Sequence, residues 1–335
     1  MAAIVLTGGI AVSTVLKQLR EGYEPAPLFD RRSGLSYVVT GAGLAITITL
    51  FVVQKLSIDP RLAIAPAWVG MAVVAGWLAR RAHLAKAATA LESTGLVYGQ
   101  GFVFLGLIYV LMTFDVPLAD APLAAADRVL GFHWPDLAEP FRRSSALLGL
   151  TKVVYMSFNW EPALVTISLS IAGLSGRAWR FVAAATISLA FASIVGSLAL
   201  PAEGAAVYYH ARPWPELVGL WSQSHVIHAL RSGRHFIDPG LITGLISFPS
   251  YHACSAVLYA WAMWPLRYLR WPIVVLNVGM AFFAIVGGGH YLVDIIAGAL
   301  LGWVSALLAV RFVRETAEPP AARGSRTSMT PISSA

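Results

Sequence analysis

The 335-residue chain is 57% hydrophobic and 12% charged, with a mean hydropathy of +0.69, which excludes an ordinary soluble enzyme and points to a polytopic membrane protein. An excess of 24 Lys+Arg over 17 Asp+Glu could suit nucleic acid, but the basic residues sit in pairs at the ends of apolar runs, which is membrane topology. The single cysteine, Cys254, excludes an internal disulfide and reads as packing.

In chain order, residues 2–15 are apolar but short, with no basic start and no small-residue cleavage signal, so they read as interfacial or frayed. Spans are predicted over 36–54, 62–79 and 97–114, each near the roughly 20 residues that cross the hydrocarbon. The segment 115–149 breaks this pattern. It holds Asp115, Asp120, Asp127, Asp136 and Glu139, several prolines, and Phe132-His133-Trp134, and is expected along the surface as short helices with an aromatic anchor.

Further spans over 150–174, 179–200, 250–266, 271–287 and 290–312 bring the total to about eight. The expected fold is an all-α polytopic membrane helical bundle. Residues 1–95 supply two additional spans, 96–314 a six-helix catalytic core, and 315–335, rich in Pro, Ser, Thr and Arg, a disordered cytoplasmic tail. The long polar loop 201–247 carries Arg212-Pro213 and the run His225, His228, Arg231, Arg234, His235, read either as a stripe touching lipid headgroups or as a solvated face. There is no evident internal repeat.

Most lysines and arginines, among them Arg80, Arg81, Arg177, Arg180, Arg267 and Arg270, fall on the side of the N-terminus, so both termini are expected in the cytoplasm. The Arg212 loop, the start of the sixth span and the turn before His290 then converge on the opposite face. The Ala-rich, Arg-over-Lys composition suggests a bacterial inner membrane.

Two stretches on that face carry chemistry, Phe248-Pro249-Ser250-Tyr251-His252 and Gly287-Gly288-Gly289-His290-Tyr291-Leu292-Val293-Asp294. Ionisable residues in an apolar setting are costly and mark function. His290 and Asp294, four apart, would share one helical face, a base or nucleophile with its orienting carboxylate. The proline before His252 suits a first helical turn, which puts Ser250 at a positive helix end able to hold phosphate. Either histidine alone could be a helix cap or a carbonyl partner, and Arg212 could simply snorkel to the interface; together they point to phosphoryl transfer. His252, His290 and Asp294 could also form a metal triad, but Ser250, Arg212 and the glycines suit an anion better. A serine hydrolase through Ser250 is weaker, because it lacks a G-x-S-x-G elbow.

These residues resemble the type 2 phosphatidic acid phosphatase superfamily, and within it the inositol phosphorylceramide synthase and sphingomyelin synthase branch. The likeness rests on Ser247-Phe248-Pro249-Ser250-Tyr251-His252-Ala253 for a P-S-x-H motif and on His290-Tyr291-Leu292-Val293-Asp294 for an H-Y-x-x-D motif. It extends more weakly to Arg212-Pro213 and to Asp127-Arg128-Val129-Leu130-Gly131-Phe132, and covers about residues 97–312. The resemblance implies that His290 is the nucleophile, that Asp294 orients it, and that His252 protonates the leaving oxygen. Arg212 and Ser250 would hold phosphate oxygens, with Tyr251 and Gly289 completing the substrate-binding set.

No metal and no cofactor are implied. The expected partners are a phospholipid or lipid phosphate, the membrane, and, for a transferase, an alcohol such as ceramide or diacylglycerol; nucleic acid is not expected. Two positions depart from the phosphatase pattern: Ala205 stands where a lysine is expected and Ala284 where an arginine is. The synthase branch shares the second departure, which favours a transferase or an enzyme of phosphodiester lipids. The glycines before His290 could bring backbone amides to the phosphate instead. Competing expectations are a transporter or flippase for an anionic lipid and a metal-dependent membrane hydrolase.

Overall fold

The computed structural model describes residues 29–211, 218–234 and 236–313. The expectations for residues 2–15, for Arg212-Pro213, for His235 and for the tail 315–335 lie outside them. Among the described residues the chain is an all-α bundle with a single pair of two-residue strands, and five helices are long and apolar enough to cross a membrane.

The first is α1 (Gly34–Val53), entered through a turn in which the Asp30 side chain accepts from the Arg32 amide. A short strand, β1 (Ser57–Ile58), and a turn capped by Asp59 with Pro60 at its start lead into α2 (Ile64–Arg81). Both helices expose large apolar side chains, including Val38, Ile48, Trp68 and Val74, the surface expected of helices facing lipid.

The third, α3 (Ala85–Leu111), begins twelve residues before the predicted span at 97. Hydropathy missed its first turns because of Glu92. That carboxylate is buried, ion-paired with Arg80 of α2 and bonded by the Tyr37 hydroxyl at 3.2 Å, so its charge is matched inside the bundle. The helix also runs unbroken across residues 95 and 96, joining the N-terminal segment to the core.

The surface segment forms α4 (Asp120–Val129) and α5 (Trp134–Arg142), short as expected. Asp120 and Asp127, however, are buried. The predicted span over 150–174 is two helices, α6 (Ser145–Tyr155) and α7 (Glu161–Ile171), separated by a tight turn over Met156–Asn159. Pro162 is the cause: it fits the first turn of α7 but could not sit inside one continuous helix.

Helix α8 (Ser175–Leu198) is the most enclosed of the five and packs against α3. The loop after it contains α9 (Ala205–Tyr208), α10 (Val218–Arg231) and β2 (Phe236–Ile237). β2 pairs in parallel with β1, Ser57 opposite Phe236 and Ile58 opposite Ile237, which ties the α1–α2 connection to this loop.

The chain ends in α11 (Tyr251–Met263), α12 (Arg270–Val286) and α13 (Leu292–Phe312). Of these α11, at 13 residues, is shorter than the span predicted over 250–266, whereas α12, at 17 residues, has the length predicted for it. α11 lies between α12 and α13 and also touches α8. Gly298 and Gly302 let α13 close on α11: a Cβ at Gly298 would overlap the Ser250 carbonyl, and one at Gly302 would come within 2.6 Å of the Cys254 carbonyl. This contact fixes the starts of α11 and α13 side by side.

Candidate active site

The start of α11 is capped by Ser250, whose Oγ accepts from the Ala253 amide at 3.3 Å and whose own amide donates to the Asp294 carbonyl at 3.0 Å. Ser250 is fully buried, so its hydroxyl caps this helix end while binding it to α13. Tyr251 directs its hydroxyl to the Ala185 carbonyl of α8 at 3.4 Å, and His252 follows in the first turn.

The start of α13 is shaped by the glycine turn. Gly288 has φ +80 and its carbonyl accepts from the Ala206 amide at 2.9 Å, so a side chain there would be strained and would collide with Ala206 and Trp134. Gly289 presents its carbonyl to the Ser247 hydroxyl at 2.9 Å. Because α13 begins only at Leu292, His290 lies ahead of the helix and does not share a helical face with Asp294. Their nearest atoms, Nδ1 and Oδ2, are 3.7 Å apart.

Ser247 fills that gap. His290 Nδ1 lies 2.9 Å from the Ser247 carbonyl, and a carbonyl can only accept, so this partner assigns the ring proton to Nδ1. Nε2 keeps its lone pair and faces His252 Nδ1 at 3.4 Å. Asp294 Oδ2 accepts from the Ser247 hydroxyl at 2.7 Å and from the Tyr291 amide at 2.8 Å. The carboxylate thus reaches the imidazole through Ser247. The His252 ring is held between the bundle and the cavity by stacking on Tyr155 at 4.1 Å and by Phe158 at 4.8 Å.

Two buried carboxylates on α4, seven residues apart and so on one face, hold this arrangement from outside. Asp127 accepts from the Leu292 and Val293 amides, both at 2.9 Å, satisfying two of the donors that a helix start leaves unpaired. Asp120 accepts from the Glu203 and Gly204 amides and, at 2.9 Å, from the Tyr291 hydroxyl. Burial pushes both carboxyls above their usual range, although the amide donors pull them back. Neither was among the sequence-derived site residues, nor was Ser247. Their spacing was the available signal: Asp120 and Asp127 repeat at two helical turns, and Ser247 opens the first motif.

Both histidines, Tyr251 and Gly289 line a cavity of about 680 Å³ whose walls are chiefly aliphatic and aromatic, among them Phe102, Leu105, Tyr155 and Phe158. Arg212 falls outside the described residues. Ala205 and Ala284, where cations were expected, are completely buried. A lysine or arginine at either place would have no room. In the polar loop, His228 Nε2 lies 2.7 Å from Glu203 Oε1 and Arg231 pairs with Asp115 at 3.6 Å, so α10 is tied to neighbouring loops by part of its charged stripe.

A family model described as the PAP2 superfamily matches residues 121–308, more than half of the chain. The chain belongs to the PAP2 superfamily. The match runs from α4 into α13 and contains the two histidines, Asp294 and Asp127, whereas α1 to α3 and Asp120 lie outside it. No curated protein and no solved structure matches. Membership makes this protein an enzyme of phosphatase or phosphotransferase type that acts on a lipid phosphate in a membrane.

Proposed function

We propose that this PAP2 protein moves or removes a phosphoryl or phospho-headgroup through a phosphohistidine on His290, without a metal, at the non-cytoplasmic face. The observation that carries the reading is the pair of imidazoles facing each other at 3.4 Å on the wall of an apolar cavity, one of them with its proton assigned to the far nitrogen. The His290 Nε2 lone pair attacks phosphorus, the bond to the leaving oxygen breaks, and His252 gives that oxygen a proton. In the second half, water or an alcohol attacks the phosphohistidine, its proton passes to His252, and the phosphorus–nitrogen bond breaks.

In-line transfer needs phosphorus at Nε2 with the leaving oxygen beyond it, so the two rings must part when substrate enters. Asp294, acting through Ser247, stabilises the imidazole as it gains positive charge. Arg212, Ser250, Tyr251 and Gly289 are proposed to bind substrate. The missing arginine at Ala284 favours a transferase of the inositol phosphorylceramide synthase kind, with ceramide or diacylglycerol as acceptor. On this proposal both termini face the cytoplasm from a bacterial inner membrane, with residues 96–314 as the catalytic core.

The test is product analysis of defined lipids in EDTA, offering phosphatidic acid and then phosphatidylinositol with ceramide or diacylglycerol. Release of phosphate or synthesis of a new phospholipid by the wild type, lost in His290→Ala, supports the reading. Activity that returns only with a divalent metal would make the two histidines and Asp294 a metal site.

A further inference from the structure

We infer that Lys152 is a second cation, beside the proposed Arg212, that binds the phosphate of the lipid substrate in this cavity, an inference that rests on the lipid-phosphate reading above. Among the described residues lining the cavity, Lys152 carries the one fixed charge: no arginine, aspartate or glutamate lines it. Lys152 lies on α6 three residues before Tyr155, hence on the same helical face, and Tyr155 is the ring stacked on His252. The lysine is exposed, and none of the described carboxylates pairs with it.

A phosphoryl group brings up to two negative charges into a largely apolar cavity, which needs a compensating cation. Ala205 and Ala284 cannot supply one, and both are enclosed. An ammonium on a flexible four-carbon stem, one turn from the ring that supports the proposed acid, can reach the phosphate as a point charge. A lysine can lay its carbon stem along an apolar wall while its charged head stays in water, which lets an exposed residue serve such a cavity.

Affinity is measured by titrating full-length protein carrying His290→Ala, which cannot turn over, with short-chain phosphatidic acid and with diacylglycerol of the same chains. Adding Lys152→Gln is expected to weaken phosphatidic acid by about 10-fold or more, the scale of a charge-assisted hydrogen bond, and to leave diacylglycerol unchanged. Lys152→Arg, which keeps the charge, restores most of the affinity. A lysine that only anchors α6 at the interface would alter thermal stability in Lys152→Gln without separating the two lipids. The inference is overturned if both lipids respond equally to Lys152→Gln, or if Lys152→Arg binds as weakly as Lys152→Gln. Turnover by otherwise wild-type protein separates the two claims. A wild type that processes no lipid phosphate, yet needs Lys152 to bind it, contradicts the enzymatic reading alone; full turnover with unchanged affinity in Lys152→Gln contradicts the lysine alone.

Discussion

At the scale of single residues, Ser247 is the link between charge and nucleophile. Its carbonyl takes the His290 Nδ1 proton, and its hydroxyl bonds Asp294 at 2.7 Å. Replacing it with alanine keeps the carbonyl but removes the hydroxyl, so the carboxylate loses its side-chain donor, keeps the Tyr291 amide, and loses part of its hold on the loop. Ser247→Ala is expected to lower kcat about tenfold, the size of one charge-assisted hydrogen bond, with KM nearly unchanged. Steady-state kinetics on the preferred lipid check this; an unaltered kcat would mean that Asp294 acts on His290 directly across 3.7 Å. Sequence spacing put His290 and Asp294 together but assumed one continuous helix. The cap at Tyr291 stops the helix short of His290, and nothing in a four-residue interval reveals which carbonyl will take the ring proton.

At the scale of elements, the start of α13 depends on α4. Asp127 takes two amides that would otherwise be buried without partners, so Asp127→Ala is expected to lower unfolding stability by about 1–3 kcal/mol. The thermal midpoint in detergent measures it. Burial raises the Asp120 and Asp127 carboxyls in the fold, so their contribution is fullest below the unfolded carboxylate value and declines as pH rises through the raised ones. Asp127→Asn cannot ionise, and the midpoint of that variant is expected to fall less steeply with rising pH than that of the wild type; equal slopes would contradict this. Elements were legible where a long apolar run carries few charges, as in α1, α2 and α13. They were misread where a polar residue is matched inside the bundle or a proline interrupts an apolar run. Glu92 hid the first turns of α3 because its partner, Arg80, lies on another helix. Pro162 divides an apolar stretch that hydropathy alone reads as one span.

At the scale of the whole molecule, chain geometry brings the α1–α2 connection, the α8–α11 loop and the α12–α13 turn to one face, where β1 pairs with β2 and the two motifs meet. Asp59 and Asp238, next to the paired strands, must therefore report the same side of the membrane, and the α2–α3 turn at His83 the other. The native Cys254 is fully buried, so background labelling is small. Cysteines introduced as Asp59→Cys and Asp238→Cys are expected to react with a membrane-impermeant maleimide added outside intact cells, and His83→Cys only after lysis. The reverse pattern would move the site to the cytoplasmic face. The distribution of arginines in the sequence predicts that this face is the non-cytoplasmic one. The buried α4 carboxylates were not legible there, because a hydropathy profile assigns acids to the surface unless it can see the amides they bind.

The claim on which the rest depends is that His290 carries the phosphoryl group. Purified protein in EDTA is mixed with phosphatidic acid labelled with ³²P in its phosphate, quenched in alkali within a turnover, and the protein's label is measured beside that of His290→Ala. The account predicts alkali-stable, acid-labile label on the wild type and none on His290→Ala. Equal labelling of both, or turnover by His290→Ala, would contradict it.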